Sequence, residues 1–141
     1  MKFPIGIQQF EKLREEDWAY VDKTVHIFNL VQGGTCYFLS RPRRFGKSML
    51  LSTLEAYFQG KKHLFKGLAI EQLETEWTEH AVLHLDLNAE KYTAPEDLTN
   101  ILDTYLREWE ERYESTEKEN PSLSQRFRSV IRAAKQKTGR N

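Results

Sequence analysis

The chain has 141 residues, 39% of them hydrophobic, with 21 Lys+Arg balanced by 21 Asp+Glu. That length suits one domain with its own core, and eight Phe, six Tyr and three Trp supply bulky material for it, which excludes a disordered chain. Zero formal net charge excludes a globally basic binder of nucleic acid or anionic lipid, one cysteine excludes an internal disulfide, and no apolar run approaches the ~18 residues of a membrane span. The N-terminal MKFPIGIQQFEKLREE lacks the apolar centre of a secretory signal, so a cytoplasmic protein without membrane contact is expected.

In chain order, Ile7, Phe10 and Leu13 predict a short helix over 7–15. Val25, Ile27, Phe28 and Val31 predict a second over 23–32, with Asp22 as N-cap and Gly33-Gly34 as its stop. Thr35–Leu39 is β-branched, aromatic and apolar, and reads as a buried strand with Cys36 as a core thiol. The loop 40–46 follows, then a helix over 47–59 with Met49, Leu50, Leu54, Tyr57 and Phe58 at helical spacing and Gly60 as its breaker. Residues 61–80 predict short helical turns around Leu64-Phe65 and Leu73, and 81–88 a second strand. A helix over 95–113 carries the stripe Leu98, Ile101, Leu102, Tyr105, Leu106 and Trp109, with Thr93 and Glu96 at capping-box spacing. A charged loop with Pro121 leads to a last helix over 123–137, with Phe127, Val130, Ile131 and Ala134 on its inner face and Gly139 at its end.

The segment Arg41–Ser48, RPRRFGKS, compares with the phosphate-loop pattern G-x-x-x-x-G-K-[ST]. Gly46, Lys47 and Ser48 match, and Arg41 stands at the first glycine position. The segment lies between an expected strand and an expected helix, the setting this motif requires. Gly46 lets the backbone approach a phosphate without a Cβ in the way. The helix N-terminus offers unpaired N–H groups to an anion. Lys47 would reach the β- and γ-phosphates, and the Ser48 hydroxyl would ligate Mg²⁺. Pro42 biases Arg41 toward extended geometry. Arg41, Arg43 and Arg44 either add charge near the phosphates or form a basic patch touching a partner.

The residues RPRRFGKSMLLSTLEAYF, with the upstream FPIGIQQFEKLRE and YVDKT and the later LFKGLAI, VLHLDLNAEKY and KTGR, resemble the AAA-ATPase-like family of bacterial and archaeal predicted ATP-binding proteins. The resemblance covers essentially the whole chain, and an arginine-rich phosphate loop is a trait of that family. It implies a P-loop ATPase module that uses ATP and Mg²⁺, with phosphate contacts from Arg43, Arg44, Phe45, Gly46, Lys47, Ser48 and Met49. It also implies a C-terminal nuclease-like domain of the PD-(D/E)XK class in longer members, which would bring nucleic acid in only indirectly. In the family, a KTGR-like segment precedes an apolar strand ending in acidic residues, the Walker B element. That strand is absent here, so the chain reads as the N-terminal portion of one such domain: a helical lead-in over 1–34 and an incomplete core over 35–141. Hydrolysis is then expected to be weak or absent, because Walker B supplies a carboxylate for Mg²⁺.

The fold class expected is α/β: a three-layer α/β/α P-loop arrangement with a mostly parallel sheet, cut short before the Walker B strand. An unpaired sheet edge would favour self-association, and an inert interaction fragment docking on a partner is the alternative to nucleotide binding. Asp86, at the end of V-L-H-L-D, is either a degenerate Walker B carboxylate or the cap of the next turn. Asp22-Lys23-Thr24 lies near the nucleotide or simply starts a helix. His80 and His84 lack a third ligand for zinc. Trp109 and Tyr113 suit helix packing better than base stacking.

Overall fold

The computed structural model describes residues 3–88, 93–115 and 121–139. The chain divides into two compact units, Met1–His80 and Ala81–Asn141.

The first unit is built from short helices: α1 (Phe10–Glu15), α2 (Thr24–Gly33), α3 (Lys47–Phe58), a 3₁₀ turn (Lys62–Phe65) and α4 (Ile70–Leu73). None is long enough to be stable alone in water, so packing of their apolar sides holds them. Phe10, Ile27, Ala56, Tyr57, Leu64, Phe65, Leu68 and Ile70 form the core. Its centre is aromatic: Phe10 and Phe65 have ring centroids 4.9 Å apart, and Phe65 and Trp77 5.0 Å apart. Polar ties close the unit over long sequence separations. Arg14 donates from Nε to the Leu64 carbonyl (2.7 Å) and from Nη2 to the Lys66 carbonyl (2.6 Å). Lys61 pairs with Glu11 at 2.8 Å.

The second unit is a helical hairpin of α5 (Pro95–Tyr113) and α6 (Leu123–Thr138). Pro95, with its preset φ and no N–H to satisfy, opens α5. Asp97 accepts from Thr93 N (2.7 Å), Thr93 Oγ1 (2.9 Å) and Ala94 N (2.9 Å), so the first turn is capped through Asp97 rather than Glu96. Ser122 and Gln125 form the capping box of α6, with Ser122 N donating to Gln125 Oε1 at 2.8 Å. Gly139, at φ 68°, ends the helix. Val130 packs on Leu106 and Trp109, with Leu83, Tyr105, Tyr113 and Leu123 around them. Arg126 forks onto Glu110, Nε to Oε1 and Nη2 to Oε2 both at 2.7 Å, and also binds Asp103.

The expected three-layer α/β/α fold is not what forms. No β-strand occurs among the described residues, and helices close the cores of both units. A strand needs a neighbour to pair its backbone, whatever its own composition. Residues 36–39 are non-helical but unpaired into any strand, and their side chains face solvent: Phe38 is 94% exposed and Cys36 is exposed rather than buried. Residues 81–86 meet helix side chains instead of a neighbouring strand. Tyr113 donates its hydroxyl to the Val82 carbonyl (3.4 Å) and Tyr105 to the Asp86 carbonyl (3.1 Å). With no sheet among the described residues, the sheet edge invoked for self-association is absent there too. Parts of VLHLDLNAEKY (89–92), of the charged loop before Pro121 (116–120) and of KTGR (Arg140) lie outside the described residues.

Candidate functional site

The loop 41–46 is carried on the N-terminus of α3, and α3 is fixed from its polar as well as its apolar side. Phe10 N donates to Ser52 Oγ at 2.7 Å, tying α1 to α3. Thr53, fully buried, donates to the Met49 carbonyl at 2.7 Å and shares a hydrogen bond with Tyr20. Burial pushes the Tyr20 hydroxyl above its ordinary pKa, partly offset by that bond to Thr53. Ala56 and Tyr57 enter the core from the same helix. The far end of α3 is thereby anchored while its first turn projects outward.

At that first turn the backbone takes two left-handed steps. Arg44 has φ 67° and Gly46 φ 73°. Gly46 is the N-cap, and its carbonyl accepts from Leu50 N at 2.9 Å. A Cβ on Gly46 would meet no atom within 4 Å, so the requirement for glycine there is conformational, not steric crowding. Lys47 folds back over the loop: Nζ donates to the Arg41 carbonyl (2.7 Å) and the Pro42 carbonyl (3.0 Å). Arg41, Arg43, Arg44, Phe45 and Ser48 are exposed. Met49, placed by sequence among the phosphate contacts, packs its side chain against the core.

The sequence that carries the loop is one-sided in charge. Between Lys23 and Leu54 the sequence holds no Asp or Glu, although the chain has 21 of them. Four cations, Arg41, Arg43, Arg44 and Lys47, fall within seven residues of this stretch. Such a surface attracts anions.

Asp22 and Thr24, the other residues considered near a nucleotide, are engaged elsewhere. Asp22 Oδ1 accepts from Thr24 N (2.8 Å) and Thr24 Oγ1 (2.7 Å), and its Oδ2 accepts from Ala69 N (2.7 Å). Thr24 Oγ1 in turn accepts from Ile70 N at 3.1 Å. Burial raises the Asp22 carboxyl, but the hydrogen bonds from Ala69 and Thr24 outweigh it and hold the pKa below the ordinary value. Asp86 is likewise engaged within its own turn. Its Oδ1 accepts from Asn88 N (2.8 Å) and Nδ2 (3.2 Å), which caps the turn at 87–88. His80 leans its ring on Phe58, with centroids 5.6 Å apart. No group of three or more His, Cys, Asp or Glu able to hold a metal occurs among the described residues. Trp109 is a core residue and Tyr113 packs beside it.

Sequence reasoning did not find Arg14 or the buried hydroxyl of Thr53. Polar residues on the inward side of α3, Ser52 and Thr53 amid apolar neighbours, were the readable signal.

A family model described as "Predicted AAA-ATPase" matches residues 4–141. The chain belongs to this AAA-ATPase-like family. One curated relative, described as "Uncharacterized protein in vnfD 5'region" from Azotobacter chroococcum mcd 1, is 41% identical over 137 residues. That alignment covers 94% of this chain and 26% of the relative, so the chain spans about a quarter of the length of the curated relative it matches. No solved structure matches it significantly. No described helix is long and apolar enough to cross a membrane.

Proposed function

We propose that the loop 41–48 binds the phosphate groups of a nucleoside triphosphate, with Mg²⁺ carried on the phosphates. The observation that carries this reading is the position of Lys47. Its ammonium lies over the loop, held by the carbonyls of Arg41 and Pro42, directly behind the left-handed Gly46 and at the first residue of a helix. A cation so placed, beside free helix N–H groups, offers both charge and directed donors to an anion. Arg43 and Arg44 add charge, Phe45 and Met49 contribute backbone N–H groups, and Ser48 offers its exposed hydroxyl to the metal. This donor set suits a Mg²⁺ ion bound mainly through substrate phosphates, not one held in a protein cage. Family membership supports ATP as the nucleotide.

Turnover by this chain alone is expected to be negligible. The stretch from Lys23 to Leu54 that carries the loop contains no Asp or Glu in sequence, and Asp22 and Asp86, the carboxylates weighed for the metal, are committed to local hydrogen bonds.

Thermal melting with and without Mg-ATP tests the reading. A ligand that binds only the folded state raises Tm. A rise with Mg-ATP that disappears in Lys47→Ala supports it, and no rise at millimolar Mg-ATP overturns it. A second reading, an interaction fragment without nucleotide, draws on the exposed apolar run Tyr37, Phe38 and Leu39 with Phe45 beyond it. It requires concentration-dependent association of the chain and no response to ATP.

A further inference from the structure

Helix α6 carries five basic residues, Arg126, Arg128, Arg132, Lys135 and Lys137, and no acidic one. Two of them serve the hairpin: Arg126 is forked on Glu110, and Lys137 pairs with Glu114 at 2.7 Å. The other three, Arg128, Arg132 and Lys135, are exposed and follow one another at spacings of four and three, which sets them in one row along the helix. Beside that row stand Phe127 and Ile131, again four apart, 42% and 46% exposed. The Phe127 ring lies 6.2 Å from Trp109, at the margin of the hairpin core.

We propose that this outer face of α6 docks an acidic amphipathic helix of a partner protein. The inner face supplies the pattern. There α6 already receives such a helix, α5, taking its carboxylates on Arg126 and its apolar stripe on Val130. The outer face repeats the arrangement, with an apolar pair beside a cation row, both at helical spacing, as helix-to-surface recognition requires. A second copy of the same face does not fit, because it would set cation row against cation row. A phosphodiester backbone would use the cations and leave Phe127 and Ile131 in water, so two adjacent rows favour a helix with both carboxylates and apolar residues.

The test uses the full chain and a synthetic helical peptide of about 20 residues with Leu and Glu in adjacent i, i+4 rows. A scrambled peptide of the same composition, a single-stranded oligonucleotide and phosphatidylserine-rich vesicles are the comparison probes. Fluorescence anisotropy and co-sedimentation are expected to detect binding of the patterned peptide alone, weakened by salt. Arg132→Glu and Ile131→Asp should each weaken it about tenfold or more. Both sites are exposed, and circular dichroism checks that the variants stay folded. The proposal is overturned if the patterned peptide does not bind at about 100 µM, if the scrambled peptide binds equally, or if Ile131→Asp leaves binding unchanged. Tighter binding of the oligonucleotide or the vesicles overturns it as well.

Discussion

Lys47 donates its ammonium to the carbonyl of Arg41, six residues back, at 2.7 Å. The bond closes the loop on itself and also parks the cation where an anion approaching the N-terminus of α3 would meet it. Lys47→Met keeps the aliphatic stem and removes the charge. The variant is expected to melt close to the parent, because the two lost bonds, to the Arg41 and Pro42 carbonyls, are at the surface and worth about 1 kcal/mol each at most. It should nevertheless lose at least about tenfold in affinity for Mg-ATP, read by calorimetry, since charge-assisted phosphate bonds are the strong ones. A variant that melts normally and binds as well as the parent would remove Lys47 from the site.

Arg44 separates conformation from chemistry. Its φ of 67° is a left-handed geometry that costs an L-residue about 1–2 kcal/mol, and glycine adopts it freely. Arg44→Gly should therefore leave Tm unchanged or slightly raised, while Arg44→Val should lower it. If the guanidinium contacts phosphate, Arg44→Gly also weakens Mg-ATP binding despite its relaxed backbone. Equal affinity would place Arg44 in the loop for another partner.

How far these features were legible depends on their range along the chain. The longer helices were, because they carry a 3.6-residue apolar repeat and local stop signals: Gly33 and Gly139 ended α2 and α6, and Pro95 opened α5. Gly46 at the start of α3 was legible as a local string before an amphipathic helix, while the phosphate role read from Lys47 and Ser48 stays a proposal. Thr35–Leu39 misled, because β-branched and aromatic residues record a tendency that only a pairing neighbour converts into a strand. The Thr24–Ile70 and Arg14–Leu64 bonds could not be read at all. They join residues 46 and 50 positions apart, and nothing in either segment names the other.

The bond network around Thr24 gives a stability prediction. Thr24 is fully buried, donates to Asp22 and accepts from Ile70 N. Thr24→Val keeps the shape and leaves the Ile70 N–H unpaired, at a cost of about 1–3 kcal/mol by chemical denaturation. A destabilisation below about 0.5 kcal/mol would mean the N–H finds another acceptor.

Asp22 in the same network sets an acid dependence with a definite sign. Its folded pKa lies below the ordinary value, so its stabilising contribution is complete above the unfolded carboxyl pKa of about 3.9 and is lost as pH falls from there through the folded value. In that window the unfolded chain takes up the proton first. Asp22→Asn should be less stable than the parent at neutral pH, and the gap should narrow as pH drops below about 4. Parallel pH profiles would deny the carboxylate that role.

Arg126 in α6 offers the corresponding test for the hairpin. Its guanidinium bridges Glu110 and Asp103, which sit seven residues apart on α5, and its bond to Asp103, helped by Arg107, holds that carboxyl below its ordinary pKa. Removing the cation strips Glu110 of its forked partner and leaves Asp103 to Arg107, which meets its Oδ2 at 2.8 Å. Arg126→Met should lower Tm by several degrees, and Arg126→Lys should recover only part of the loss, because a single ammonium cannot repeat the forked geometry. Replacing Glu110 and Asp103 by Gln and Asn in the Arg126→Met background should restore stability relative to Arg126→Met alone. If the triple variant is no more stable, the bridge acts through packing of the arginine stem along α5 and not through its charge.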